Sequence, residues 1–174
     1  MTDRPTPRRE RRDKTPEQAL AALMRLCARA EKSSGDALRL MRTWGVAEEA
    51  RREVLRKLTA QGFIDDARYA GAFVRDKIRL AGWGARKIRT ALRAKGVADA
   101  AIDAALAETD DPEGRGARLR TRLERKLRTV RAADPYDLRN KLLRHALSLG
   151  YDYAESAAAV AELTETPEIP CDDF

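Results

Sequence analysis

Arginine and lysine side chains at helical spacing are the residues of this sequence best suited to chemistry. The stretch 75–95 holds eight bases and one acid, and the stretch 115–131 also holds eight bases and one acid. Guanidinium groups bind phosphate and carboxylate oxygens through paired hydrogen bonds, and clustered bases attract polyanions over long range. These runs predict a surface for nucleic acid, for an acidic protein, or for an assembly containing both. A solvated, solubilising helix face is the alternative for each run.

Helical spacing selects eleven basic side chains as candidate partner-binding residues. Arg86, Arg89 and Arg93 recur on one helix face, and Ile88 and Leu92 occupy the opposite face. Two further stripes lie on the preceding helix and beside a leucine seam near residue 120. The full predicted set is Arg68, Arg75, Arg79, Arg86, Arg89, Arg93, Arg118, Arg122, Arg125, Lys141 and Arg144.

Catalytic and metal chemistry have little support in the sequence. The chain has one histidine, and its two cysteines, Cys27 and Cys171, lie far apart, so neither a zinc site nor a Cys-His nucleophile is expected. Asp65 and Asp66 are interpreted as helix-capping residues. The Gly-Trp-Gly run at 82–84 lacks the strand and the lysine of a phosphate loop. We therefore predict no enzyme, no metal and no cofactor.

Composition limits the class of protein. The chain has 174 residues, a formal net charge of +7, 43% hydrophobic residues and 5% aromatic residues. No window approaches the roughly 20 apolar residues of a membrane span, and the basic start carries no apolar segment of a secretory signal. We expect a monomeric cytoplasmic protein without membrane contact.

Capping residues and helix breakers divide the chain into helices. Thr15 and Pro16 have the pattern of a helix start, and similar helix starts and ends recur along the chain. No run of alternating polar and apolar residues predicts a strand. The spacing predicts that Leu80 faces inward with Tyr69 and Phe73, and that a long helix spans about 115–131 after a polar linker.

A glycine followed by an apolar residue ends a helix three times, at Gly45, Gly96 and Gly150, which are 51 and 54 residues apart. Three-helix units of about 50 residues bury little core alone, so neighbouring units are expected to pack on each other. We predict an all-α fold of three tandem three-helix repeats in an elongated, curved array. The predicted divisions are a disordered basic arm (1–14), the repeats 15–62, 63–109 and 110–163, the last with its linker, and an acidic tail (164–174).

Two motifs carry a family resemblance. The run Gly-Phe-Ile-Asp-Asp-Ala-Arg-Tyr-Ala at 62–70, followed by the stretch from Trp83-Gly84 to Lys95-Gly96-Val97, resembles the central block of the RecX family. The resemblance covers roughly residues 16–163. The arm and the tail lie outside the family pattern. Gly35 also departs from it, because a better helix former is expected at that position.

The resemblance implies a regulatory function. RecX-family proteins bind the filament of the RecA recombinase, in its helical groove, and inhibit it by blocking growth or promoting disassembly. No catalytic residue or cofactor belongs to the family. The implied partner of this chain is therefore the RecA filament.

A direct DNA-binding protein, either non-specific or similar to helix-turn-helix modules, is the alternative function. Base readout uses Asn, Gln or Arg side chains at base edges, and the basic helices offer Arg and Lys but almost no Asn or Gln, since Asn140 is the only asparagine of the chain. This composition favours contacts with phosphate or with acidic protein over base readout. Single-strand binding by stacking needs aromatic side chains, which are few here. Weak, non-specific affinity for single- or double-stranded DNA is expected in either case.

Overall fold

The computed structural model of the protein describes residues 13–165, and every regular element in that range is helical. The prediction of an all-α, helical-repeat fold is confirmed. Cys171, most of the predicted arm and most of the predicted tail lie outside the described residues. The helices are α1 (Pro16–Cys27), α2 (Ser34–Thr43), α3 (Glu48–Ala60), α4 (Asp66–Asp76), α5 (Ala85–Ala94), α6 (Asp99–Glu108), α7 (Pro112–Leu127), α8 (Pro135–Leu149) and α9 (Tyr153–Thr164), with a π-helical turn over Lys77–Ala81.

The described chain forms two compact units. The first contains the residues up to Tyr69 together with Ala94–Ala98, and the second contains Ala70–Arg93 and the residues from Asp99 onward. The first unit buries a core between α1, α2 and α3 that is built around Leu23, Met41 and Leu58. In the second unit α7, α8 and α9 pack on one another around Leu119, Leu123, Leu142, Ala146, Tyr151 and Val160. The repeat boundaries drawn from the sequence stay predictions, because compactness groups residues differently from sequence repetition.

The three glycine junctions have the predicted geometry. Gly45, Gly96 and Gly150 all have positive φ, at 72°, 76° and 92°. The apolar residue that follows each glycine is at most 5% exposed. The backbone N–H of Val46 reaches back to the carbonyl of Met41 at 3.1 Å. This hydrogen bond closes the helix end in the manner of a Schellman motif.

Helix α7 begins earlier and ends earlier than its leucine spacing predicts. Pro112 is the first helical residue, and the side chain of Asp111 accepts a hydrogen bond from the backbone N–H of Gly114 at 2.9 Å. The prediction of a linker through residue 114 is therefore wrong, because Asp111 and Pro112 form a helix start. The helix ends at Leu127, four residues before the predicted Arg131.

The side chain of Leu80 is 77% exposed, so the prediction that it faces inward is wrong. The prediction assumed that α-helical spacing continues seven residues past Phe73. The chain instead forms the π-helical turn Lys77–Ala81. A π turn holds more residues per turn than an α-helix, so the side chains in it are rotated about the helix axis.

The start of α2 lies against backbone carbonyls in the first unit, and this contact explains Gly35. Ser33 Oγ donates a hydrogen bond to the carbonyl of Lys95 at 2.7 Å, and Arg39 Nη1 donates to the carbonyl of Ala94 at 2.7 Å. A Cβ on Gly35 would lie 2.2 Å from the Lys95 carbonyl oxygen. A stronger helix former would therefore separate the two segments.

A junction of the same kind joins α5 to α8 in the second unit. The backbone N–H groups of Gly84 and Arg86 donate to the carbonyls of Leu149 and Gly150 at 2.8 and 3.1 Å. Lys87 Nζ donates to the carbonyl of Ser148 at 3.0 Å. The contact satisfies backbone groups that would be unpaired at a free helix start and a free helix end, and it places opposite ends of two helix dipoles together.

Candidate functional site

A groove beside α7 gathers four of the predicted arginines, and we call it the α7 groove. It has a volume of about 430 Å³ and no acidic residue in its lining. Its charged lining residues come from the π turn and from α7, whose arginines recur at three- and four-residue spacing. The lining consists of Ile78, Arg79, Leu80, Gly82, Ala117, Arg118, Thr121, Arg122 and Arg125.

The four arginines of the α7 groove differ in how they are held. Arg122 Nη2 donates a hydrogen bond to the carbonyl of Leu80 at 2.9 Å, and Arg118 Nη1 lies 3.4 Å from Asp111 Oδ2. Arg79 and Arg125 are exposed, and neither guanidinium has an ion pair or hydrogen bond with another residue in the range 13–165. Two of the four guanidinium groups are thus fixed, and two are available to an anionic partner.

A second basic groove lies between the end of α7 and α8, and we call it the α8 groove. It has a volume of about 530 Å³ and is lined by Lys126, Thr129, Val130, Arg131, Lys141, Arg144 and His145. Lys141 Nζ lies 2.6 Å from Asp137 Oδ2 and donates to the carbonyl of Arg131 at 2.8 Å. The Lys141 ammonium lowers the pKa of the Asp137 carboxyl group, and the backbone N–H of Ala133 adds to this effect.

The remaining predicted residues do not line either groove. Arg89 pairs with Asp103, and Arg93 Nε lies 2.7 Å from Asp99 Oδ1, so α6 neutralises most of the stripe on α5. The hydrogen bond from Arg93 lowers the pKa of Asp99. Arg86 is exposed and makes no ion pair with another described residue.

The predicted residues of α4 that lie outside the grooves also differ from each other. Arg68 Nε lies 2.6 Å from Glu31 Oε1 in the first unit, so its guanidinium is engaged. Arg75 is exposed and has no ion pair within residues 13–165. The structure therefore collects Arg79, Arg118, Arg122 and Arg125 in one groove and Lys141 and Arg144 in another, and that these grooves contact a partner stays a prediction.

Three residues of the α8 groove were missed by the spacing argument. Lys126, Arg131 and His145 join Lys141 and Arg144 in its lining. The sequence held part of the signal, because Lys126 and Arg131 belong to the basic run of α7 and the residues that follow it. The i, i+4 spacing places His145 on the same face of α8 as Lys141, but its place beside Lys126 and Arg131 depends on the packing of α8 on α7.

Trp83 has a structural environment. It is partly buried, its ring meets the ring of Phe73 edge-on with 6.4 Å between centroids, and Lys77 Nζ and Lys87 Nζ lie 4.9 and 4.7 Å from its centroid. Such cation–π contacts favour a fixed ring. This geometry is that of a packing residue at a helix corner.

The range 13–165 contains neither a metal-binding cluster nor a membrane-spanning helix. No group of three His, Cys, Asp or Glu side chains there is arranged to hold a metal ion. None of the helices described is both long enough and apolar enough to cross a bilayer.

His145 gives a direct test of ligand binding in the α8 groove. Burial lowers the pKa of its imidazole, and the positive charges of Lys126, Arg122 and Lys87 lower it further. A polyanion bound in the groove would screen those charges, so we expect the pKa of His145 to rise. The measurement is an NMR pH titration with and without oligo(dT), which is readily assigned because the chain has one histidine.

The matched variant for this titration is Lys126→Gln. Because it removes one of the nearby positive charges, it should raise the pKa of His145 in the unliganded protein. A pKa that stays the same at saturating oligo(dT) would exclude the α8 groove as a polyanion site.

Fold and surface together define a class of protein: an all-helical repeat protein with basic grooves and no metal-binding cluster among its described residues. The sequence then identifies the family within that class. A family model described as "RecX, second three-helix domain" matches residues 65–106. The chain is 34% identical over 139 residues to the regulatory protein RecX of Mycolicibacterium vanbaalenii, covering 76% of this chain and 73% of that protein. The chain belongs to the RecX family of regulatory proteins.

Two further relatives are also RecX proteins. The chain is 33% identical over 156 residues to the regulatory protein RecX of Streptomyces lividans, covering 86% and 79% of the two chains. A match of 34% identity with the RecX protein of Clostridium botulinum covers 71% of this chain and 56% of that protein, so the chain spans about half the length of that relative.

The solved structures support the fold alone. A crystal structure of regulatory protein RecX gives a TM-score of 0.76 at 23% identity over 86% of this chain and 72% of that one. RecX from Lactobacillus salivarius gives a TM-score of 0.71 at 20% identity over 85% and 96%.

Proposed function

We propose that this protein binds the filament that RecA forms on DNA and inhibits its recombinase activity by limiting filament growth. Membership of the RecX family supports this function. The observation that carries it is the α7 groove, whose lining contains four arginines and no acid, and in which Arg79 and Arg125 have no ion pair with another residue in the range 13–165. In this proposal the protein is a cytoplasmic monomer that acts by binding, not by catalysis.

The mechanism that we infer is a wedge. A helical array seated against adjacent RecA protomers prevents the addition of the next protomer, so one bound molecule arrests a growing end. Guanidinium groups make charge-assisted contacts with carboxylates of the protein and with phosphates of the DNA. Such contacts weaken as salt screens them.

The test is ATP hydrolysis by RecA on single-stranded DNA, with this protein well below one molecule per RecA protomer and with DNA in excess. A steep loss of hydrolysis is expected, and the loss should diminish as salt is raised. Sequestration of DNA cannot produce this result at that ratio. Loss only when the protein coats the DNA would contradict the proposal and would identify a non-specific DNA-binding protein.

A further inference from the structure

Leu80 is the most exposed large hydrophobic side chain within residues 13–165, at 77%. It lies in the π-helical turn, which ends one residue later at Ala81 and is followed by the C-cap Gly82, with a φ of 63°. Single π turns inside α-helices are often found at functional sites. An exposed leucine gains stabilisation only when a partner covers it, because burial of apolar surface from water is favourable.

The backbone that presents Leu80 is held in place by α7. Arg122 Nη2 donates a hydrogen bond to the carbonyl of Leu80 at 2.9 Å. A Cβ on Gly82 would come within 2.4 Å of Arg122 Nε, so the two segments approach closely. The Leu80 side chain therefore projects from a fixed backbone, and a partner that binds it has little conformational entropy to remove.

The charged residues that line the α7 groove around Leu80 are all arginines. Arg79 precedes it, and Arg118, Arg122 and Arg125 complete the basic lining of the α7 groove. Arginine is enriched among binding hot spots, and a binding interface needs a central aromatic or aliphatic anchor. Phosphates offer nothing to a leucine, and single-stranded bases stack on aromatic side chains. A protein segment with carboxylates and one exposed apolar side chain complements both the leucine and the arginines.

We propose that Leu80 is the apolar anchor of a protein-binding surface, and that the α7 groove receives an acidic segment of the filament protein and not its DNA. This inference rests on the proposed function and specifies which component of the filament the groove contacts. It applies to the α7 groove and not to the α8 groove, because the lining of the α8 groove has no comparably exposed aliphatic side chain.

The variant Leu80→Gln tests the inference, since glutamine keeps the length and the helix propensity of the residue. The matched control is Tyr136→Gln, because Tyr136 is 76% exposed and lies outside both grooves. For each protein we would measure half-inhibition of RecA ATP hydrolysis and the affinity for oligo(dT) by fluorescence anisotropy. Leu80→Gln is expected to raise the half-inhibition concentration at least tenfold and to leave the oligo(dT) affinity unchanged. Tyr136→Gln is expected to change neither.

Each other outcome has a defined meaning. Unchanged inhibition by Leu80→Gln would overturn the anchor. A parallel loss of oligo(dT) affinity would make the α7 groove a nucleic-acid surface and would also overturn it. If the wild-type protein does not inhibit RecA below stoichiometry, the proposed function itself fails, and that result precedes any variant. Thermal melting of Leu80→Gln checks that the fold is intact, and Leu80→Ala provides a second variant if it is not.

Discussion

Replacement of Gly150 by alanine should lower the free energy of unfolding by about 3 kcal/mol, the sum of two effects. Its φ is 92°, and the left-handed region costs an L-residue about 1–2 kcal/mol. A Cβ at this position would lie 2.4 Å from Lys87 Cβ and 2.5 Å from the Lys87 backbone nitrogen. Because backbone must shift to relieve that contact, a further 1–3 kcal/mol is expected.

Two glycines of the same chain serve as controls for this measurement. Gly62 also has a positive φ, of 73°, but a Cβ there would have no neighbour within 4 Å, so Gly62→Ala should cost only about 1–2 kcal/mol. Gly116 lies inside α7 with open space around it, and Gly116→Ala should stabilise the protein by about 0.5–1 kcal/mol. Urea unfolding followed by circular dichroism measures all three. Equal losses for Gly150→Ala and Gly62→Ala would show that the close approach to Lys87 has no energetic consequence.

Loss of the two unpaired guanidinium groups of the α7 groove should cause the largest functional defect. The double variant Arg79→Gln/Arg125→Gln is expected to raise the half-inhibition concentration for RecA ATP hydrolysis at least tenfold. Neither side chain has an ion pair within the described residues, so the variant removes no ion pair or side-chain hydrogen bond among them. The fold should therefore be unchanged while charge-assisted contacts to the partner are lost.

The control for charge is the double variant Arg120→Gln/Arg128→Gln. It removes the same net charge, from α7 and its C-cap, but Arg120 pairs with Glu124 and neither residue lines the α7 groove. Its half-inhibition concentration should change less than twofold. If both double variants lose inhibition equally, net charge and not the groove determines binding. The difference between them should shrink as salt is raised, because salt screens exposed charges.

Sequence patterns predicted the helices well because caps and glycine ends act locally. Thr15, which the sequence places at a helix start, forms a capping box with Gln18. Patterns failed where a helix changes its period, as at Leu80, since hydrophobic spacing assumes regular α-helical geometry. They also failed at Gly35, whose requirement for glycine comes from the carbonyl of Lys95, sixty residues away in the chain.

The sequence predicted many of the basic residues of the candidate site, but it did not predict which of them pair with acidic residues. Periodicity placed Arg118, Arg122 and Arg125 on one side of α7, and the structure agrees. It could not show that Asp99 and Asp103 neutralise arginines of α5, because those carboxylates come from another helix. The free guanidinium groups are identified only when acidic neighbours from every packed element are known.

Hydrogen bonds of main-chain atoms make most of the contact between α5 and α8, and this determines which substitutions the contact allows. The N–H groups of Gly84 and Arg86 and the carbonyls of Leu149 and Gly150 are present whatever side chains are attached. Substitution is restricted chiefly where a Cβ would intrude, as at Gly84 and Gly150. Side chains elsewhere can therefore change without loss of these main-chain hydrogen bonds. The fold likeness to a RecX crystal structure extends over 86% of the chain at 23% identity, and the family model matches residues 65–106.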